Sequence, residues 1–129
     1  MTEARLRMRE HSIGRVRMMK FELSAGATVA EVMAVFGRLV SDCIQGGLRA
    51  TLVVTQDRPA MTPTELKCAV SVLDLGACPS NFRLAVVAFR EPAYQAYLYA
   101  LGPAAKGGQR RVFCDEIDAM EWLRAQFPD

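Results

Sequence analysis

The sequence predicts a single α/β domain in which helices alternate with the strands of a mostly parallel sheet. Three observations predict this fold: a segment of period-2 alternation near the N-terminus, two short apolar runs bounded by turn residues, and capping residues at the helix starts between them. The expected order is β-β-α-β-α-β-α-β-α, with packed helices and an antiparallel N-terminal hairpin. A length of 129 residues is usual for one domain, so residues 1–129 are assigned to a single domain.

The N-terminal segment 5–23 is typical of a β-hairpin with one solvent-exposed face. Arginines alternate with apolar residues from Arg5 to Arg9, and residues 11–14 supply the turn. On the returning strand the alternation slips at Met18–Met19. A β-bulge would restore the alternation, as would apolar cover on both faces of the sheet, and the bulge is slightly favoured.

The first long helix is predicted to begin after Thr28, because Thr28-Val29-Ala30-Glu31 has the form of a capping box. It is expected to end at Gly46–Gly47. Apolar residues recur at helical spacing and form one predicted buried stripe: Val29, Val32, Met33, Phe36, Leu39, Val40 and Ile44.

Two strand–helix units follow. The apolar runs Leu52–Val54 and Leu84–Ala88 suit central buried strands. Between them, Thr62-Pro63-Thr64-Glu65 opens a second helix with another capping box and a proline at the first helical position. The predicted buried stripe of this helix is Leu66, Ala69, Val70 and Leu73, and Gly76 is its predicted stop.

The last third of the chain predicts a helix, a turn, a strand and a final helix. Pro92 begins the third helix, which runs to about Leu101, and residues 106–108 form a flexible turn. A strand at 110–113 then leads into a helix that Asp115 can cap.

Composition limits the classes of partner and location. A net charge of +2 is too small to indicate a nucleic-acid partner. No apolar run approaches the roughly 20 residues that span a bilayer, and the N-terminus lacks the apolar segment of a signal peptide. The four cysteines form no Cys-x-x-Cys pair, so free thiols in a cytoplasmic protein are expected, with a buried disulfide as the less favoured alternative.

Four groups of residues carry a family resemblance. They are Gly26-Ala27-Thr28 before the first long helix, Leu52-Val53-Val54 before a loop and helix, Phe82–Val87, and Arg111-Val112-Phe113 with Ala119–Leu123. Together with the element order, they resemble the SpoIIAA-like branch of the STAS family (sulphate transporter and anti-sigma-factor antagonist domains). The likeness covers nearly the whole chain, but its residues are mainly packing residues. The resemblance therefore implies a fold and a non-enzymatic regulatory role more than any chemistry.

The chain departs from this family where phosphorylation takes place. Anti-sigma antagonists carry an Asp-Ser-Ser-Gly-like motif at the start of the helix after the buried strand, and this chain has residues 56–64 there without that motif. Thr62 offers a hydroxyl at a helix N-terminus, where added negative charge is favoured. The capping box favours a cap role for Thr62 over phosphorylation.

No catalytic constellation is found in the sequence. His11 is the single histidine and has no partner identifiable from spacing, which argues against a histidine metal site or a Ser-His-Asp triad. Cys43 and Cys68 lie in predicted helices with apolar neighbours, so we expect both in the core. Cys114 and Asp57 stand at strand ends, where structural or solvated roles are the favoured interpretations. We therefore expect no enzymatic activity, no cofactor and no metal.

The predicted binding surface is the loop and helix start from Asp57 to Thr64, with the third helix beside it. Polar contacts, an adaptable apolar contact and aromatic anchors are expected there. The candidate partner- or ligand-binding residues are Asp57, Arg58, Met61, Thr62, Tyr94 and Tyr97. The stripe formed by residues 94, 97, 98 and 101 is by default the buried face of its helix, and alternatively lines a shallow apolar groove.

Two functions follow as hypotheses. The first is a binding or regulatory module that contacts an unknown protein partner or a small apolar ligand. The alternative is a carrier or sensor of a lipid at a membrane surface, in which the hairpin arginines meet anionic lipid instead of forming a solvated edge that discourages strand pairing. A homodimer through an edge strand or the third helix is compatible with so small a domain.

Overall fold

The computed structural model of this chain is an α/β fold in which four helices pack on a mixed β-sheet. It describes residues 6–23, 28–55, 62–70, 81–89, 91–101, 106–107 and 110–127. The elements are β1 (Leu6–Ile13), β2 (Val16–Leu23), α1 (Val29–Gly46), β3 (Ala50–Thr55), α2 (Pro63–Val70), β4 (Arg83–Ala88), α3 (Glu91–Leu101), β5 (Lys106–Gly107), β6 (Arg110–Phe113) and α4 (Glu116–Gln126). The predicted order is confirmed, and the two-residue β5 is added where a turn was expected.

The sheet has the strand order β1-β2-β3-β4-β6-β5. β1 and β5 run antiparallel to their neighbours, and β2, β3, β4 and β6 are mutually parallel. The parallel strands β2, β3, β4 and β6 lie side by side in the order in which they occur in the chain. The three helices that connect them, α1, α2 and α3, therefore lie on the same face of the sheet, here called the crossover face. Of the helices that the structure describes, α4 is the one that packs on the opposite face, here called the α4 face.

Each face of the sheet carries its own buried core, which is why β3 is buried along its whole length. On the crossover face the core joins alternate strand residues such as Phe21, Val53 and Val86 to the three helices. On the α4 face the intervening strand residues pack against Ala119 and Leu123.

The returning strand of the hairpin contains no bulge. β1 and β2 pair in unbroken register from Leu6 opposite Leu23 to Ile13 opposite Val16. Met18 and Met19 point to opposite faces and are 2% and 7% exposed. The favoured bulge was therefore wrong, because both faces at this position have apolar cover.

The hairpin turn lies at residues 14–15, later than the predicted 11–14. Gly14 has φ of 58°, while no non-glycine residue in the described part of the chain has positive φ. Positive φ at the first central position alone is the pattern of a type II′ turn, which suits the twist of paired strands.

The predicted helix caps are present. The Thr28 hydroxyl accepts from the Glu31 backbone N–H at 3.2 Å, and the Glu31 carboxylate accepts from the Thr28 N–H at 2.8 Å. Asp115 accepts from the backbone N–H groups of Ile117 and Asp118 at 2.6 and 3.2 Å. Each cap satisfies first-turn donors that have no partner inside the helix.

The buried side of α1 is rotated from the predicted stripe. Val35 and Cys43 join Val32, Phe36 and Leu39 in the core, whereas Met33 and Ile44 are 39% and 53% exposed. α1 packs against α2 as well as on the sheet, so its buried arc turns toward α2. One flank of the predicted stripe is consequently left in solvent.

Candidate functional site

The carboxyl ends of β4 and β6 form a point where the chain departs to opposite faces of the sheet. Val87 and Phe113 are register partners near these ends. After β4 the chain enters α3 on the crossover face, and after β6 it enters α4 on the other face. Open α/β sheets bind ligands in the crevice at such a switch point. The geometry therefore singles out the edge between β4 and β6.

Phe89 lies at this edge and was not among the predicted contacts. It follows the last residue of β4, and its side chain is 44% exposed although Leu84 to Ala88 are fully buried. Phe89 directly follows the apolar run Leu84–Ala88, so its position at the end of a buried strand could have been recognised from the sequence. No binding role was predicted for Phe89 from the sequence.

The predicted loop follows β3 in the sequence, and the end of β3 lies beside the end of β4. Thr55 ends β3 and Ala88 ends β4, and the two are register partners. The last described residue before segment 56–61 therefore lies beside the strand that Phe89 follows. Three of the predicted contacts, Asp57, Arg58 and Met61, lie outside the described residues.

Thr62 is exposed and acts as a helix cap. Its hydroxyl accepts from the Glu65 backbone N–H at 3.2 Å, and its own N–H donates to the Glu65 carboxylate at 2.8 Å. This is the predicted capping box at the start of α2. The sequence favours this cap role over phosphorylation of Thr62, and the capping geometry agrees with it.

The tyrosine stripe of α3 is its buried face, as the default interpretation has it. Tyr97 and Leu101 are each 1% exposed, and burial raises the pKa of the Tyr97 phenol well above its ordinary value. Tyr94 and Leu98 are half-buried and pack against the same core. Of the two predicted anchors, Tyr94 thus retains surface for a partner, while Tyr97 lies inside the domain.

A second exposed aromatic lies on the outer side of α3. Tyr99 is 52% exposed, and the Lys67 ammonium of α2 lies 5.1 Å from the centre of its ring. Such an exposed cation–π contact stabilises by about 0.5–1 kcal/mol and helps to hold α2 beside α3.

The hairpin presents basic side chains on the α4 face. Arg9 pairs with Lys20, and Lys20 pairs with Leu52 of the α4-face core, so alternation puts Arg7, Arg9 and His11 on this side. These three side chains are exposed. Lys20 is different, because its ammonium donates to Glu116 at 2.8 Å and lies 3.7 Å from Glu22. Among the described residues, no ion pair is formed by Arg7, Arg9 or His11, although Arg7 lies opposite Glu22 in the sheet.

A shallow groove of about 390 Å³ runs along α4. It is lined by Glu116, Ile117, Met120, Glu121 and Arg124. Ile117 is 70% exposed, so the groove combines an apolar side chain with acidic neighbours. Glu116 connects the groove to the hairpin through Lys20.

The described cysteines divide between core and surface. Cys43 is buried as expected, whereas Cys68 is exposed and was wrongly expected in the core. Cys68 follows the buried Leu66 by two positions, which is about 200° around α2. Cys114 is exposed beside the switch point, and no disulfide joins these three residues. Within the described ranges, no cluster of three or more His, Cys, Asp or Glu side chains is placed to hold a metal ion.

Comparison with known proteins adds no family assignment. The chain matches no protein-family model, and no curated protein matches it. The resemblance to SpoIIAA-like STAS domains therefore stays a prediction that rests on the residues quoted above. Among the helices that the structure describes, none is long and apolar enough to cross a membrane.

Proposed function

We propose that this chain is a non-enzymatic binding or regulatory module of STAS-like type, which contacts a protein partner or small ligand at the carboxyl edge of its sheet. The observation that carries the proposal is Phe89, an aromatic side chain 44% exposed at the end of a buried strand. Exposed aromatics on a rigid scaffold are typical anchors of recognition, because their burial releases much apolar surface from water.

The contact surface combines three segments that start from neighbouring points. Phe89 follows β4, Thr62 begins α2, and Tyr94 lies in the first turns of α3. The pairing of Thr55 with Ala88 puts the end of β3 beside the end of β4, which supports a contribution from the segment that follows β3 in the sequence. Asp57, Arg58 and Met61 are proposed as the loop's contribution, with Tyr97 supporting Tyr94 from the core.

The contribution of Phe89 can be estimated from its exposure. A Phe side chain offers on the order of 200 Å², so complete burial of the exposed fraction removes roughly 90 Å² from water. At about 25 cal/mol per Å², this contributes about 2 kcal/mol, which is roughly 30-fold in Kd. An effect of this size is readily measured.

Phe89→Ser tests the proposal against a control of similar exposure. Met8→Ser removes a 40% exposed apolar side chain from β1, three strand positions away in the sheet. Proteins or ligands captured by the tagged chain should be lost or depleted with Phe89→Ser and with the double change Asp57→Ala and Arg58→Ala. They should be retained with Met8→Ser, and the melting temperature should stay close to that of the original chain. Unchanged capture by Phe89→Ser would remove this edge as the site.

The second candidate function is a carrier or sensor of a lipid or other apolar ligand at a membrane surface. The observation that favours it is the one-sided charge of β1, where Arg7, Arg9 and His11 are exposed together. Each basic residue near an anionic bilayer contributes about 1 kcal/mol to binding. The α4 groove, with Ile117 and Met120, offers an apolar contact on the same sheet face.

Vesicle co-sedimentation separates this function from the first. The chain should bind vesicles that contain phosphatidylserine and should not bind vesicles of phosphatidylcholine alone. Arg9→Glu should abolish the binding, while Arg38→Glu on α1 serves as the charge-matched control. Native mass spectrometry would show any apolar ligand retained through purification. Equal binding to both vesicle types would exclude the electrostatic contact, and a bare mass would count against carriage.

A further inference from the structure

The outer edge of β1 has free backbone hydrogen-bonding groups. β1 pairs with β2 on its inner side, and among the strands that the structure describes none lies on its outer side. A two-residue turn joins Ile13 to Val16, so Ile13 and every second residue before it bond to β2. The intervening residues, Met8, Glu10 and Ser12, therefore turn their N–H and C=O groups outward. This edge presents a row of donors and acceptors that can pair with an added strand.

β1 lacks most of the features that protect an exposed strand edge from pairing. It is eight residues long, contains no proline, and keeps its register with β2 without a bulge. Its remaining protection is charge, and this charge has one sign on the α4 face. The side chains on that face are those of Arg7, Arg9 and His11, and all three are exposed. Charge of a single sign repels some strands and attracts others.

Arg9 faces a like charge on the inner side of the hairpin. Its cross-strand partner is Lys20, and like charges directly opposite each other are destabilising. Lys20 donates instead to Glu116 at 2.8 Å and lies 3.7 Å from Glu22. Glu22, the sheet partner of Arg7, thus has its ion pair with Lys20. A carboxylate on the outer side of β1 would offset the repulsion at Arg9.

We propose that the outer edge of β1 binds an extended acidic segment of a partner protein as an additional antiparallel strand, a contact beyond the proposed function. The backbone of the segment bonds to the outward groups of β1, and its alternate acidic side chains lie opposite Arg7, Arg9 and His11. These positions are non-hydrogen-bonded pairs, in which facing Cα atoms are about 4.5 Å apart and the side chains are close. The intervening side chains lie beside Met8, which is 40% exposed and suits an apolar residue.

A second copy of this chain does not fit the same edge. Two β1 strands paired antiparallel about a two-fold axis keep their α4 faces on the same side of the joined sheet. Every register centred between residues 8 and 10 then places an arginine opposite an arginine or His11. Like charges directly opposite each other disfavour this pairing. The edge therefore selects an acidic strand over its own copy.

Binding of a synthetic peptide to the full chain tests the proposal. The probe is a blocked peptide of alternating glutamate and valine with the eight-residue length of β1, followed by fluorescence anisotropy. One control has the same composition with all glutamates grouped at one end. The other is the alternating peptide N-methylated at its valines, whose N–H groups face β1. The alternating peptide should bind roughly tenfold more tightly than either control, because each control loses one part of the strand pairing.

Amide exchange measured by NMR provides a readout of where the peptide binds. The outward N–H groups of Met8, Glu10 and Ser12 should become protected when the peptide is added. Arg9→Glu should weaken binding roughly tenfold, because it replaces an attraction by a repulsion. Arg38→Glu on α1 is the charge-matched control and should bind like the original chain. Circular dichroism checks that both variants are folded.

The peptide comparison uses the original chain, so it decides the proposal even if a variant fails to fold. The proposal is overturned if the alternating peptide does not bind, or if either control peptide binds as tightly, since the contact would then be general charge attraction. It is equally overturned if the outward N–H groups gain no protection. Vesicles with phosphatidylserine that bind through Arg9 while the peptide does not would assign this edge to a membrane surface instead.

Discussion

Tyr97 should make the stability of this domain fall at alkaline pH. Its phenol is 1% exposed, and burial raises its folded-state pKa above the ordinary value of 10.0. The unfolded chain then loses the Tyr97 proton near pH 10, while the folded chain keeps it. The stabilising contribution is complete below pH 10 and is lost as pH rises through the raised folded-state pKa.

The size of this loss follows from proton linkage. Between the two pKa values, the folded state holds one proton more than the unfolded state. The free energy of unfolding therefore falls by about 1.4 kcal/mol for each pH unit above 10. For a domain with total stability of about 5–15 kcal/mol, one pH unit is a measurable fraction.

Urea unfolding of the original chain and of Tyr97→Phe, at pH 8 and pH 11, isolates this contribution. Other groups that titrate in this range act equally on both proteins, so the difference between them belongs to Tyr97. The original chain should lose about 1.4 kcal/mol more than Tyr97→Phe. Tyr99→Phe, which alters a 52% exposed tyrosine, is the matched control. Equal losses in the original chain and Tyr97→Phe would show that Tyr97 is not held protonated by burial.

Three further changes test the packing and the helix starts. Gly37→Ala should raise the free energy of unfolding by about 1 kcal/mol in dilute protein, because the new Cβ enters open space; a decrease would show an undetected neighbour. Thr28→Ala should lower stability by about 1 kcal/mol through loss of its cap, and an unchanged thermal midpoint would contradict that role. Trp122→Ala should lower the free energy of unfolding by about 2 kcal/mol, because Trp122 is half-buried and its ring lies 5.7 Å from that of Phe113; truncation of a fully buried tryptophan would cost more. Chemical denaturation measures this loss. A loss below roughly 0.5 kcal/mol, the size of a neutral surface change, would mean that the contact between Trp122 and Phe113 does not hold α4 on the sheet.

Features that depend on local chemistry were predictable from the sequence. The boxes at Thr28 and Thr62 and the cap at Asp115 need residues at most three positions apart, so the sequence contains everything that forms them. Alternation of strands and helices likewise led to a mostly parallel sheet. Short apolar runs marked β3 and β4 because both strands are covered on both faces.

Features that depend on distant packing were not predictable. Val35 is buried off the predicted stripe of α1, and the continuous register at Met18–Met19 goes with apolar cores on both faces of the sheet, which form from residues far apart in the sequence. Tyr94 and Tyr97 are both tyrosines on the same stripe of α3, yet Tyr97 is buried in the core and Tyr94 is only half-buried. Phe89 stands out only when the departures of α3 and α4 are known, since helical periodicity does not tell on which face of the sheet a helix lies.

The exposed edge of the hairpin has a consequence for how the folded chain fluctuates. Among the strands that the structure describes, β1 pairs with β2 alone, and within residues 7–13 only Ile13 is buried. Its amide groups should therefore exchange with deuterium by local opening, well before those of β3 or β4. When β1 separates, the outer edge of β2 loses its hydrogen-bonding partner and becomes available to another strand. β1 thus protects the edge of β2 from pairing with a strand of another molecule. At high protein concentration, the rate of aggregation should therefore depend on how often β1 separates from β2.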